Sequence, residues 1–143
     1  MEIGWIVFAL LSALMAALVA IFGKIGLEGI DANTATMIRA GIMFSFLVGV
    51  ILLTGKSSQI SGILSNQRAL MYIVLSGVAG ALSWLFYFVA LQMGKASQVV
   101  PIDRLSIIFV IILSVLILGE QLSMKVAIGT ALMAVGAILI ALG

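Results

Sequence analysis

Five apolar runs fill nearly the whole chain, at residues 3–24, 34–53, 69–93, 97–118 and 124–142. Each is close to the roughly 20 residues that an α-helix needs to cross a bilayer. A soluble domain of 143 residues has too little interior to hide them, with 64% of its residues hydrophobic and only 8% charged. Backbone N–H and C=O groups in hydrocarbon find no water, so each run is expected to be a helix. The predicted fold is an all-α integral membrane protein, with one five-helix transmembrane domain over residues 1–143.

The scarcity of charge limits the chemistry. The formal net charge is +2, and the Lys and Arg residues form no cluster of the kind that grips nucleic acid. With no Cys and no His, disulfides, thiol nucleophiles, imidazole bases and most transition-metal sites are excluded. No cofactor is expected, and no enzymatic activity. The first run begins Met1-Glu2-Ile3-Gly4-Trp5. It lacks a basic leader and is too long for the apolar stretch of a secretory signal, so it is expected as a retained span. Trp5 and Tyr72 lie near span ends on the same predicted side, where aromatic rings anchor at the interface.

Five crossings put the two termini on opposite faces. The N-terminal side then carries Lys56, Arg68 and Lys125. The other carries Lys24 and Lys95, with Arg39 and Arg104 about two turns inside their helices. Orientation follows the Lys/Arg bias between sides, which is nearly absent here. Insertion in both orientations is one reading; a single orientation fixed by a weak bias is the other.

Arg39 is the sharpest candidate for function. A charge within an apolar span costs ~2.5 kcal/mol or more and normally meets a partner or a wet cavity. The competing reading is that its long side chain reaches back to the headgroups. Asp103 and Arg104 lie at similar depth in the fourth run, on the same side. Glu2, Glu28, Asp31 and Glu120 belong to ends and loops, which leaves Asp103 as the carboxylate within a span. It is expected to pair with Arg39 or Arg104, for structure or for function. Pro101 is expected in the first turn of the fourth helix, after Ser97 as N-cap, with a mild kink near Asp103.

Ser76, Gly80, Ser83 and Tyr87 share one face of the third run by the 3.6-residue period. Aligned hydroxyls suit the wall of a wet cavity; they also suit close helix packing with local hydrogen bonds. Ser106 and Ser114 add a second polar strip beside Asp103. The Gly41–Ser45–Gly49 ladder and the recurrence of glycine at every seventh residue, Gly129, Gly136 and Gly143, point to helix–helix or subunit contacts.

Several short motifs in the second half carry a resemblance. They are Ala90-Leu91-Gln92 before Gly94, Ala96-Ser97 before Pro101, and Gly119-Glu120 followed by Leu122-Ser123. With the Gly/Ala-rich last run they resemble the end of a repeat in the drug/metabolite transporter superfamily, specifically EamA-type transporters. The opening run and the segment from Ala35 to Arg39 fit as well, so the resemblance covers the whole chain. Full-length members have ten helices, as two five-helix repeats of opposite topology around a central site. This chain resembles one repeat.

The resemblance implies a secondary transporter of a small metabolite in the prokaryotic inner membrane, working by alternating access. An antiparallel homodimer would complete the fold within the lipid bilayer. Its substrate-binding residues would be drawn from Arg39, Asp103, Arg104, Ser76, Ser83 and Tyr87, with two arginines against one aspartate favouring an anionic or zwitterionic solute. The related small multidrug transporters depend on a buried Glu in their first helix. Here Ser12 occupies the middle of that run, so cation exchange of that kind would rest on Asp103. The alternative is a non-transporting membrane subunit, for example a partner in a lipid-carrier flippase.

Overall fold

The computed structural model describes residues 4–143, so Met1, Glu2 and Ile3, the expected start of the first span, lie outside the described residues. The elements are α1 (Gly4–Gly26), α2 (Ala32–Leu53), α3 (Gln59–Ser65), α4 (Gln67–Met93), α5 (Ala96–Asp103), α6 (Ser106–Leu113), a π-helical turn (Ser114–Leu118) and α7 (Met124–Leu142). Five stretches are long and apolar enough to span a bilayer: α1, α2, α4, the composite Ala96–Leu118, and α7.

Side-chain caps set several boundaries. Asp31 sits in extended conformation before α2, and its Oδ1 accepts from both the N–H and the hydroxyl of Thr34 at 2.8 Å. This moves the start of the second span two residues ahead of the predicted residue 34. Ser123 caps α7 by accepting from the Val126 N–H. The Asn66 side chain accepts from the Ala69 N–H, so α4 begins at Gln67 rather than at 69. The second span ends in a Schellman pair: Lys56 N–H donates to Ile51 O at 3.1 Å and Gly55 N–H to Leu52 O at 3.2 Å. That closure needs the left-handed residue supplied by Gly55, at φ 66°. The stretch 54–68, expected as a loop, holds the short helix α3.

The fourth span departs most from expectation. Its N-cap is Lys95, not Ser97. Pro101 is therefore in the second turn, where its missing N–H removes a helical bond. The helix is interrupted after Asp103, near the expected kink. Leu105 N–H donates to Ile102 O and Ile108 N–H to Leu105 O, both at 3.0 Å, in the tighter three-residue pattern. The span then closes in the π-helical turn, sealed by Gly119 at φ 68°, whose N–H reaches Ser114 O.

The described chain forms two compact units. One comprises the residues through Lys24 together with Met93–Gly143; the other is Ile25–Gln92. In the first, α5 packs along α7 and α6 also touches α7. The Gln98 amide donates to Ala141 O at 3.3 Å, and Lys24 Nζ donates to Gly94 O at 2.9 Å. Between α6 and α7 lies an apolar groove of about 290 Å³, walled by Ile108, Ile111, Ala131 and Ala134. In the second unit α2 and α4 are tied at one end, where Gln92 Nε2 donates to Ile30 O at 2.9 Å. Phe88, Leu91, Ala32 and Thr36 are buried in this unit.

Candidate functional site

Between α2 and α4 lies a cavity of about 700 Å³, within the range of ligand sites. Its wall on α2 runs from Asn33 to Leu47, about 21 Å at 1.5 Å per residue. Polar groups gather at one end, where Asn33, Thr36 and Arg39 stand. Met43, Phe44 and Leu47 make the other end apolar. Thr36 is spent on its own helix, its hydroxyl donating to Ala32 O at 2.7 Å. The α4 wall is Gly77, Gly80, Ala81, Trp84 and Leu85. Small residues keep that wall recessed: a Cβ added at Gly77 or Gly80 would meet nothing within 4 Å.

Arg39 is half-buried on the cavity wall. Its guanidinium carbon lies 3.5 Å from the centroid of the Trp84 ring and 5.0 Å from that of Phe88. The charge thus stays at the level of Trp84, nine residues before the end of α4. Trp84 and Phe88 occur four residues apart on one helix face and stack with centroids 5.7 Å apart. Tyr87 braces the pair edge-on, 5.7 Å from Trp84 and 5.8 Å from Phe88. An arginine at mid-span costs about 2.5–3.5 kcal/mol on the insertion scale. A cation–π contact returns about 0.5–2 kcal/mol, rising as the pair is desolvated, and so offsets part of that cost.

The unit contains two carboxylates, Glu28 and Asp31, both in the turn before α2. Asp31 is already engaged by Thr34. Within this unit, then, the guanidinium has aromatic faces for partners, and its N–H groups meet no carboxylate. What the arrangement offers chemically is a set of charged donors at the polar end of an otherwise apolar cavity.

The other candidates are distributed as follows. Ser76 and Ser83 are exposed on α4, on the flank next to the lining face, and Gly80 belongs to both faces. Tyr87 is half-buried beside the aromatic pair. Asp103 and Arg104 belong to the other unit, at the interruption between α5 and α6; Asp103 is half-buried and Arg104 exposed. Trp84 and Phe88 escaped the sequence reading, which followed hydroxyls around α4. A signal for them existed: of the two tryptophans, Trp5 sits at a span end, whereas Trp84 is well inside a span and repeats with Phe88 at the four-residue spacing.

Comparison with known proteins gives concordant results. The EamA-like transporter family matches residues 3–142. The chain is 42% identical over 144 residues to an "uncharacterized transporter in cobO 3'region" of Sinorhizobium sp, covering 99% of each protein. It is 35% identical over 80 residues to an uncharacterized protein of Methanocaldococcus jannaschii, covering 56% of this chain and 58% of that one. No solved structure matches.

Proposed function

Because the chain belongs to the EamA-like transporter family, and so is an integral protein of the cell membrane, we propose that it is a secondary transporter of a small metabolite. It works by alternating access as an antiparallel homodimer. The nearly balanced distribution of Lys and Arg between faces supports two orientations. The small-residue faces support a partner subunit: Gly41, Ser45 and Gly49 on α2, and Gly129 and Gly136 on α7, recur at spacings that let a neighbouring helix approach closely. Arg39, Asp103 and Arg104 set the charge of the path, and the hydroxyls of Ser76, Ser83 and Tyr87 line part of it.

One observation carries this reading: a guanidinium held without a carboxylate in its unit, on the wall of a ligand-sized cavity inside the membrane span. The test is flux into proteoliposomes of radiolabelled organic acids, amino acids and amines. One class is expected to enter well above protein-free vesicles. Arg39→Ala is expected to cut that flux about tenfold or more, the worth of one hydrogen bond to a charged group. Asp103→Asn and Arg104→Ala are expected to lower it too, all three remaining folded oligomers in mild detergent. Wild-type flux from Arg39→Gln would move the site to the face bearing Ser76, Ser83 and Tyr87. Absence of flux for every class, with a different membrane protein co-purifying, would instead establish a non-transporting subunit.

A further inference from the structure

The cavity between α2 and α4 has the chemistry to discriminate among charge classes. Its charged group is Arg39. One face of that guanidinium is covered by Trp84 at 3.5 Å, and Phe88 stands 5.0 Å away. Stacking uses the face of the plane and leaves the N–H donors, which lie in the plane, for an oxyanion. A carboxylate or phosphate matches that fork. An ammonium has no match here, because the carboxylates of the unit, Glu28 and Asp31, precede α2 and do not line the cavity. Beyond Arg39 the wall turns apolar for the rest of its length, through Met43, Phe44 and Leu47 opposite Gly77. A ligand that satisfies both ends has one anionic head and an uncharged apolar body.

We propose that this cavity binds amphipathic monoanions, with the head on Arg39 and the apolar body along Met43, Phe44 and Leu47, and that it rejects zwitterions and cations of the same body. The assignment rests on the transport reading above and narrows its substrate class. A soluble organic acid and an anionic lipid headgroup share this chemistry, and the test separates them.

Trp84 is a built-in reporter. The chain has two tryptophans, and Trp5→Phe leaves Trp84 as the sole indole. The full chain carrying that change, purified in a neutral maltoside detergent, is titrated with three probes sharing a phenyl body: 3-phenylpropionate, L-phenylalanine and 3-phenylpropylamine. Dihexanoyl phosphatidylglycerol and dihexanoyl phosphatidylcholine form the lipid arm. 3-Phenylpropionate is expected to give a saturable change in Trp84 emission, with a Kd at least about tenfold below those of phenylalanine and the amine. Arg39→Gln is expected to abolish that preference. Arg39→Lys keeps the charge but not the stacked fork, and is expected to retain part of it. Gly80→Leu fills a recess where a Cβ meets nothing, and is expected to weaken binding of the anion while melting like the parent.

A response to phosphatidylglycerol, but not to phosphatidylcholine or phenylpropionate, would keep the chemistry and make a lipid the source. Equal or tighter binding of phenylalanine or the amine would overturn the monoanion assignment while leaving transport standing. So would an anion preference that survives Arg39→Gln. If no probe gives a saturable change, the assignment also fails. Flux in the proteoliposome experiment then decides separately whether transport fails with it.

Discussion

Asp31 does two jobs with one oxygen, accepting from the Thr34 N–H and from the Thr34 hydroxyl. These bonds favour the carboxylate over the acid, and they hold its pKa below the usual carboxylate range. The sign of the linkage follows. A group whose folded pKa is depressed contributes stability that is fully present above its unfolded pKa, near ~3.9, and is lost as pH falls through the folded value. Asp31→Ala is therefore expected to melt at a lower temperature than the parent at pH 7, by circular dichroism in detergent. The gap is expected to shrink as pH falls below about 4. A gap that stays constant down to the lowest pH would show that the carboxylate charge adds nothing to the cap. Arg39 illustrates the limit of residue-level reading. Its position inside an apolar span marked it from sequence, because charge in hydrocarbon is costly wherever it falls. That it meets the Trp84–Phe88 pair was not legible, because the contact depends on which faces of α2 and α4 meet, and hydropathy is blind to that.

At the scale of elements, what hydropathy controls was legible and what backbone geometry controls was not. All five spans follow from long apolar runs, since each must satisfy its backbone internally. Boundaries shifted where a cap lay outside the apolar run: Asp31 and Asn66 are polar, yet they decide where α2 and α4 start. The short α3 was missed because seven residues mixing Gln, Ser and Gly with two isoleucines and a leucine carry no membrane signal. In the fourth span the apolar pattern continues unbroken through Ile107 to Leu113, so hydropathy alone does not show that the helix is divided after Asp103. Pro101 was the available clue. Moving its place from the first turn to the second converts a harmless proline into one that deletes a hydrogen bond. Asp103 thus stands where backbone regularity lapses, while α5 is held to α7 through Gln98 and Ala141.

For the whole molecule, the two-orientation dimer makes a joint prediction. Reporters fused at the C-terminus are expected to give signal on both faces of the membrane, and two lysines added between Gly26 and Ala32 are expected to bias one face. Because Gly129 and Gly136 have open space in the chain, Gly136→Leu is expected to reduce crosslinked dimer while leaving helical content intact. A wild-type signal confined to one face would exclude the antiparallel pair. The π-helical turn bears on how the chain tolerates changes in length. Such a turn holds one residue more than the α-helical hydrogen-bond ladder needs. Removing a residue within Ser114–Leu118 can therefore be absorbed by tightening that turn, with Gly119 still sealing the span and α7 keeping its angular register. Removing a residue from the middle of α2 has no such slack. It would rotate one half of the helix by about 100° against the other and carry Arg39 off the face of Trp84. A scan of single-residue deletions, read by membrane yield and by Trp84 emission in the Trp5→Phe background, is expected to find 114–118 permissive and α2 intolerant. The fourth span thereby becomes the stretch through which descendants of this chain can shorten by a residue while the cavity wall stays in register.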